Sequence, residues 1–228
     1  MVYDFHTHSS LSDGVLSPIE LIRRALVNNY RAIAITDHAA TGALSRIIQE
    51  TAEVCALARK HWNILAIPGI ELTHVPAPAI AETAKRAKEL GAWIVVVHGE
   101  TIIESVEKGT NLAALHSPHV NILAHPGLLS LEEAKLAAAN GIFLEISARA
   151  GHCLTNGHIA SLAQRVGAKL LLGSDAHCEQ DLLTPSLANT IIRGTGLDDS
   201  ACHQILTKNP QSLIKGLPYH CLNREIDY

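Results

Sequence analysis

Runs of apolar residues alternate with helical patterns along most of this chain. The runs are continuous rather than interrupted by polar residues, which is typical of parallel strands that are buried on both faces of a sheet. Seven such runs predict strands: Val2–His6, Ala32–Thr36, Ile64–Gly69, Ala92–His98, Asn121–Ala124, Ile142–Ser147 and Lys169–Gly173. The pattern therefore predicts a parallel sheet.

The segments between these strands carry helix signals. Ser17 and Pro18 are typical N-cap and first-turn residues, and an apolar stripe of helical spacing follows them. Three further helices are predicted over about residues 79–90, 131–140 and 156–166, each ending at a glycine. The repeated order of strand, helix and glycine predicts an α/β fold. Right-handed crossovers would arrange the strands in a (β/α) barrel, and a doubly wound open sheet is the alternative.

The chain shows no linker, low-complexity tract or internal repeat that would divide it. Its 228 residues match the size of one barrel domain, so we expect a single domain over residues 1–228. The strand and helix pattern fades after Asn209 and Pro210. We expect residues 211–228 to form a C-terminal tail that packs on the body of the domain.

Composition restricts the classes of protein that fit. The chain is 47% hydrophobic and 18% charged, typical of a soluble globule, and no apolar run approaches the roughly 18 residues of a membrane span. A net charge of −4 without a basic cluster disfavours binding to long nucleic acids. There is no signal-peptide pattern, and five cysteines without a CxxC pair favour a reducing compartment. We expect a cytoplasmic protein without a membrane partner; the sequence leaves its oligomeric state open.

Histidine is unusually abundant, with 14 residues against a total of six Phe and Tyr. Many of these histidines, with a few carboxylates, come just after predicted strands. The carboxyl ends of parallel barrel strands open on one face, so side chains at those positions converge. Nine candidates follow six different strands: His6, His8, Asp13, His38, Glu71, His98, His125, Asp175 and His177. This distribution predicts a metal centre.

The donor types indicate which metals fit. Imidazole and carboxylate groups without thiolate favour Zn, Mn or Fe. Nine donors exceed the three or four protein ligands that one catalytic ion uses, so we expect two or three divalent ions. One carboxylate, for which Glu71 is the candidate, then has to bridge two of them.

The motifs HxHS followed by Asp13, then TDH, GIE, VxVHG, LAHP and SDAH, in this order, resemble the PHP (polymerase and histidinol phosphatase) family. The resemblance extends from Met1 to His177. It implies a distorted (β/α)7 TIM-like barrel that hydrolyses phosphoesters with up to three Zn, Mn or Fe ions. It also implies a set of ligands for each ion: His6, His8, Glu71 and Asp175 for the first, Glu71, His98 and His125 for the second, and Asp13, His38 and His177 for the third.

The expected chemistry is attack by a hydroxide that bridges the ions, because several cations lower the pKa of a shared water. Glu71, Asp175 and His177 are the candidate catalytic residues, and either Asp175 or a neighbouring histidine would protonate the leaving group. Asp37, beside His38, either orients ligands or is simply a turn residue at a strand end.

Three residues after the strand Ile142–Ser147 are candidates for substrate binding. Arg149 is placed to hold a phosphate through its paired N–H groups. His152 and His158 follow it, near the predicted start of a helix, whose N-terminus favours anions.

Together these features predict a metal-dependent hydrolase of phosphoric esters. The expected substrate is a small phosphate monoester, histidinol phosphate-like or another metabolite. The alternatives are a phosphodiesterase or 3′–5′ nuclease, and a multi-metal hydrolase of amides or lactones. A non-catalytic metal-bound module is disfavoured because the ligand set shows no losses.

Overall fold

A computed structural model of the chain describes residues 1–218, and residues 219–228 lie outside the described part. Its centre is one parallel sheet in the order β1-β2-β4-β5-β6-β7-β8, with β3 paired to β4. The strands are β1 (Val2–Asp4), β2 (Tyr30–Ile35), β3 (His38–Ala39), β4 (Leu65–Leu72), β5 (Ile94–His98), β6 (Ile122–Ala124), β7 (Phe143–Ser147) and β8 (Leu170–Gly173). The predicted α/β class is confirmed.

The two ends of this sheet meet after β1 and β8. Thr7 forms a parallel bridge with Ala176, the His8 N–H donates to the Ala176 carbonyl at 2.8 Å, and the Asp175 N–H donates to the His6 carbonyl at 2.9 Å. The sheet is therefore nearly closed, which confirms the predicted barrel. The open doubly wound alternative is wrong.

Helices cover the outside of the sheet: α1 (Pro18–Val27), α2 (Leu44–His61), α3 (Ile80–Glu89), α4 (Thr110–His116), α5 (Leu131–Asn140), α6 (Asn156–Val166), α7 (Pro185–Gly194), α8 (Asp199–His203) and α9 (Asn209–Lys215). A π-helical turn over Gln204–Lys208 joins the last two. In residues 1–218, no helix has the length and hydropathy of a membrane span.

Local signals account for several helix ends. Helix α1 begins at Pro18, although the Ser17 side chain makes no capping hydrogen bond. Helix α5 has a reciprocal cap, in which Ser130 accepts from the Glu133 N–H and Glu133 accepts from the Ser130 N–H. Gly167 ends α6 with a φ of 74°, a conformation that favours glycine.

The predicted tail contains more regular structure than its sequence pattern suggested. Residues 209–215 form α9, whose Leu213 and Ile214 are buried together with Leu217. Residues 219–228 of the predicted tail lie outside the described residues. The described part of the tail thus packs on the body of the molecule.

The barrel interior has its own apolar cluster, separate from the core between sheet and helices. Tyr3, Leu65 and Ile94 are among its members, and the three apolar residues of the α9 segment pack against them. This end of the interior is therefore filled with side chains. Space for a ligand remains at the carboxyl ends of the strands.

Candidate metal centre

Side chains that point into the barrel change from apolar to metal-binding types along the strands. Successive side chains of a strand face opposite sides, so residues two apart share a side. On β4, Leu65 and Ile67 belong to the interior apolar cluster and Glu71 lies on the same side. On β5, Ile94 is followed in the same register by His98. The strand alternation thus brings the polar groups together at one end.

Four predicted donors form the most buried part of the site. His6 Nε2 lies 3.2 Å from Glu71 Oε1, and His8 Nε2 lies 3.1 Å from Asp175 Oδ1. The cross distances are 3.8 Å between His6 Nε2 and Asp175 Oδ1 and 3.7 Å between His8 Nε2 and Glu71 Oε2. Each of the four residues is at most 3% exposed. These separations are short enough for one ion to contact all four.

Glu71 occupies the middle of the donor set. Its Oε1 faces His6 and also lies 3.8 Å from His125 Nε2. Its Oε2 faces His8 and lies 2.5 Å from His38 Nδ1. The two oxygens of one carboxylate therefore point to different groups of histidines, which is the arrangement that a bridging ligand needs.

Asp13 lies at the outer edge of the site. Its Oδ2 is 3.2 Å from His177 Nε2 and 3.6 Å from His38 Nε2. The His8 ring stacks on both His38 and His177, with centroid distances of 4.1 and 4.3 Å. Asp13 is exposed, so this corner of the centre opens towards solvent.

Asp37 holds the loop that carries Asp13. It accepts hydrogen bonds from the Ser9 N–H at 2.7 Å, the Ser9 hydroxyl at 2.6 Å and the Ser12 hydroxyl at 2.6 Å. The carboxylate is fully buried. Asp37 therefore shapes the loop around a donor, rather than orienting a histidine through a hydrogen bond.

The remaining histidines form a second group beside the first. The His98 and His125 rings are 4.5 Å apart, and the His152 ring stacks on His125 at 4.1 Å. Asp175 Oδ2 lies 3.9 Å from His125 Nε2 and 3.8 Å from His152 Nε2. His152, predicted to bind substrate, thus lies among the predicted metal donors.

Glu104 is a member of this group that sequence reasoning missed. Its two carboxylate oxygens lie 3.1 Å from His98 Nε2 and 3.4 Å from His152 Nε2. It is in the loop between β5 and α4, six residues beyond the strand end, where no periodicity or strand-end position marks it. The only signal available was a carboxylate in the motif HGETIIE shortly after a candidate ligand.

A divalent ion fits the donor set because buried polar atoms are left without partners. Within residues 1–218, His6 Nε2, both ring nitrogens of His8, His125 Nδ1 and Glu71 Oε1 are buried and make no hydrogen bond. Two of these atoms, His6 Nε2 and Glu71 Oε1, lie 3.2 Å apart without a hydrogen bond between them. Unpaired buried polar atoms are costly. Coordination to metal ions would satisfy them, and mutually close donor groups that could hold an ion recur around the cleft.

The buried carboxylates and imidazoles shift each other's pKa values. Burial alone would lower the pKa of His6, but the carboxylates of Glu145, Glu71 and Asp175 outweigh burial and hold that pKa well above its usual value. Burial would raise the pKa of Glu71, yet the imidazoles of His6 and His38 hold it well below its usual value. The carboxylate is therefore ionised at neutral pH and available to an ion.

Two other histidines are held neutral. Burial lowers the pKa of His8 to about 4, and the positive charges of His38 and His6 act in the same direction. Burial, reinforced by His98, also keeps the pKa of His125 well below its usual value. A neutral imidazole has a free lone pair, which metal coordination requires.

Glu145, on β7, fixes the first histidine of the set. Its Oε2 lies 2.6 Å from His6 Nδ1, and the side chain is buried. With the Nδ1 proton directed to this carboxylate, Nε2 is the nitrogen that faces Glu71. Such a carboxylate partner sets the tautomer of a metal-binding histidine.

Backbone strain is concentrated at the same end of the barrel. His125 and Asp175 have φ values of 25° and 53°, and His74 at the rim of the cleft has a φ of 53°. Residues other than glycine rarely adopt this left-handed region, and such strain clusters at functional sites. Strand ends that turn sharply here direct side chains into the cleft.

Arg149 forms one wall of the cleft, which has a volume of about 380 Å³. Its Nη1 donates to the Asp175 carbonyl at 3.0 Å and to His177 Nδ1 at 2.8 Å, and its Nε lies 3.7 Å from Asp175 Oδ2.

His158 is not brought to the cleft, because its Nε2 bonds to the Leu129 carbonyl at 2.7 Å on the outside of the barrel. Two of the three predicted substrate-binding residues therefore reach the site.

The sequence has relatives that match most of its length. An uncharacterized protein of Methanocaldococcus jannaschii is 45% identical over 216 residues, covering 94% of this chain and 99% of that protein. A probable phosphatase of Thermoanaerobacter sp. is 26% identical and covers 87% of this chain and 88% of its own length. Both matches span most of the barrel.

The fold also matches a solved structure. Histidinol phosphate phosphatase of Lactococcus lactis, determined with zinc, L-histidinol and phosphate, aligns with a TM-score of 0.62 at 17% identity. The alignment covers 86% of this chain and 94% of that one, and at this identity it shows the fold.

The PHP domain model matches residues 4–123, which contain six of the nine predicted donors and Glu104. The chain therefore belongs to the PHP domain family of metal-dependent phosphoesterases.

Proposed function

We propose that the protein is a phosphatase that hydrolyses a small phosphate monoester with two or three Zn, Mn or Fe ions held by the nine predicted donors. The observation that carries this proposal is a guanidinium group placed against the buried donor set, in a cleft with room for a metabolite. A cation beside the ions suits the terminal phosphate of a monoester, which carries about two negative charges at neutral pH.

Arg149 is positioned for this role by the contacts that hold it. Asp175 and His177, both predicted donors, fix the guanidinium through Nη1 and Nε. The side chain keeps 35% of its surface exposed, towards the cleft that it lines. A planar guanidinium held in this way can present a pair of N–H groups to phosphoryl oxygens.

The charge of the cleft favours a small substrate over a long nucleic acid. Arg149 is the one Arg or Lys among the described residues that line the cleft, which also include Asp13, Glu104 and Asp175. A polynucleotide needs cations for several successive phosphates. The names of the Thermoanaerobacter relative and of the Lactococcus structure also support a phosphatase.

The ions, when bound, supply an activated hydroxide and neutralise charge on the phosphoryl oxygens. Glu71 joins the two halves of the donor set, and Glu145 holds His6 in the tautomer that leaves Nε2 free. Burial would raise the pKa of Asp175, but His6 and His8 hold that pKa below its usual value. An ionised Asp175 accepts rather than donates a proton, which disfavours it as the acid that protonates the leaving group.

A phosphate-release screen tests the proposal. Purified protein loaded with Mn²⁺ or with Zn²⁺ is assayed against a panel of small phosphate monoesters, with phosphodiesters, single-stranded DNA and RNA, and lactones as the other arms. We expect the highest kcat/KM on a monoester. The control variant is Glu132→Gln, because Glu132 is exposed on α5 and pairs with Lys135. It should retain the metal content and activity of the wild-type protein.

Two outcomes of the screen would overturn the proposal. Faster hydrolysis of oligonucleotides or diesters than of every monoester would assign the site to a phosphodiesterase or nuclease. Hydrolysis of lactones without any phosphate release would assign it to the amide and lactone hydrolases.

A further inference from the structure

Two groups in the cleft lie outside the nine predicted donors and yet face them directly. We propose that Glu104 and His152 are additional metal ligands, which bind the ion next to His98 and His125 from two loops above the barrel. This inference concerns the metal centre and does not depend on the identity of the substrate.

The loop that carries Glu104 is held at its base. The Glu100 carboxylate accepts from the N–H groups of Gly109 and Asn111, both at 2.9 Å, and the Asn111 side chain accepts from the Glu100 N–H at 2.9 Å. Asn111 also donates to the Pro126 carbonyl at 2.9 Å. These hydrogen bonds hold together the two ends of the loop over residues 100–109. Glu104 lies in the middle of this loop, over the cleft.

Contacts between the two loops bring Glu104 and His152 together. The Thr101 hydroxyl lies 2.7 Å from His152 Nδ1. Ile103 packs over Gly151, where an added Cβ would lie only 2.5 Å from its Cδ1 atom. A side chain at position 151 would require the Ile103 side chain to move. These contacts therefore join the loop that carries Glu104 to the segment that carries His152.

The contacts of the two His98 ring nitrogens suit a metal ligand beside Glu104. His98 Nδ1 lies 3.3 Å from the Gly99 carbonyl, which can only accept a hydrogen bond. A ring with its proton on Nδ1 would offer the lone pair of Nε2 beside a Glu104 carboxylate oxygen at 3.1 Å. A metal ion held between these two atoms would satisfy both of them.

The distances fit two ligand atoms on one ion. Bonds of about 2.0–2.1 Å in tetrahedral geometry place ligand atoms about 3.3 Å apart. Glu104 lies 3.1 Å from His98 Nε2 and 3.4 Å from His152 Nε2. The two distances belong to different oxygens of Glu104, and each fits a metal ion shared by that oxygen and the imidazole that faces it.

A second observation points to His152 independently of Glu104. His125, His152 and Asp175 are buried, and each offers one ligand atom within 4.8 Å of the others. Of these three, the family resemblance assigns only His125 and Asp175, and it assigns them to different ions. His152 extends this part of the donor set with another nitrogen.

The test measures metal affinity in the absence of any phosphate compound. The metal-free 228-residue chain is titrated with Zn²⁺ against a competing chelating dye, and with Co²⁺ while its visible absorption is recorded. The variants are Glu104→Gln and His152→Gln. Glu107→Gln is the matched control, because Glu107 is an exposed carboxylate of the same loop that bonds to the Ala77 N–H instead.

We expect Glu104→Gln and His152→Gln each to weaken one Zn²⁺ ion by about 10- to 100-fold and to change the same Co²⁺ absorption bands. Glu107→Gln should leave both measurements unchanged, and Glu104→Asp should recover part of the affinity. Glu104 is 43% exposed, so its substitution leaves the buried core intact.

Zn²⁺ affinities within twofold of the wild type in both variants would overturn the proposal. Unchanged metal affinity with an altered KM for a phosphate ester would instead make Glu104 a substrate-recognition residue, which also overturns it. A wild-type protein that binds its metals but hydrolyses no monoester would refute the proposed phosphatase function and leave this inference standing.

Discussion

The two ends of the barrel interior are built from the same strands but in opposite ways. At the amino end, Leu65 and Ile94 pack with Leu213 and Ile214 of α9 in an apolar cluster. At the carboxyl end, the same faces of β4 and β5 carry Glu71 and buried His98. One end satisfies its side chains by packing, while the other leaves buried nitrogen and oxygen atoms without hydrogen bonds.

This difference separates stability from function along a few strands. The amino end follows the rules of a packed core, in which apolar groups are removed from water and contact one another. The carboxyl end breaks those rules with buried charges and with left-handed backbone at His125 and Asp175. Substitutions at the carboxyl end should therefore change metal content and activity, whereas substitutions at the amino end should change the free energy of unfolding.

The largest effect is expected for Glu71→Gln at the polar end. Because its two oxygens face different groups of histidines, an amide should loosen both neighbouring ions at once. We expect kcat/KM for the best phosphate ester to fall about a thousandfold or more, with loss of bound metal measured by elemental analysis. Retention of the full metal content would show that Glu71 does not bridge ions.

The apolar end should respond in stability. Ile214 is 1% exposed, so Ile214→Ala should lower the free energy of unfolding of the metal-free protein by about 2–5 kcal/mol in urea denaturation. Metal content and kcat of the folded protein should remain at the wild-type level. A parallel loss of metal affinity would contradict the independence of the two ends.

Arg149→Ala tests phosphate recognition separately from metal binding. Losing a charge-assisted hydrogen bond of about 1.5–3 kcal/mol should lower kcat/KM by roughly two orders of magnitude, with unchanged metal content. Arg149→Lys should recover only part, because an ammonium group lacks the paired geometry. Full activity of Arg149→Ala would remove this residue from the substrate site, and loss of metal would assign it a structural role.

The smallest effect concerns protons. In the metal-free protein, neighbouring carboxylates outweigh burial and hold the pKa of His6 above its usual value. The ring is therefore a positively charged imidazolium, with a proton on each nitrogen, near neutral pH. Metal binding must release that proton, and the apparent affinity should therefore rise with pH until it passes the raised pKa. Calorimetric titration in two buffers of different ionisation enthalpy measures the release. A metal affinity independent of pH between about 6 and 8 would contradict this account.

Much of the fold could be predicted because the strands are long apolar runs separated by helices. The seven principal strands lie within three residues of their predicted ends. The two-residue strand β3 could not be predicted, since it depends on pairing with β4. Helix α9 was missed because its burial against the barrel end depends on tertiary packing.

The convergence of the nine predicted donors could be predicted because they follow predicted strands. Residues at strand ends converge in any parallel barrel, and the structure brings all nine candidates to one cleft and its floor. Glu104 escaped prediction because a loop, held by Glu100 and Asn111, brings it back to the strand ends. His158 was misplaced because the direction in which a helix side chain points depends on packing that the sequence does not state.

Anomalous diffraction from crystals grown with Mn²⁺ tests the central claim most directly, because it locates each ion. The account predicts at least two Mn²⁺ peaks at the carboxyl end of the barrel, with Glu71 between two of them. A single peak, or peaks that lie away from the predicted histidines and carboxylates, would contradict it.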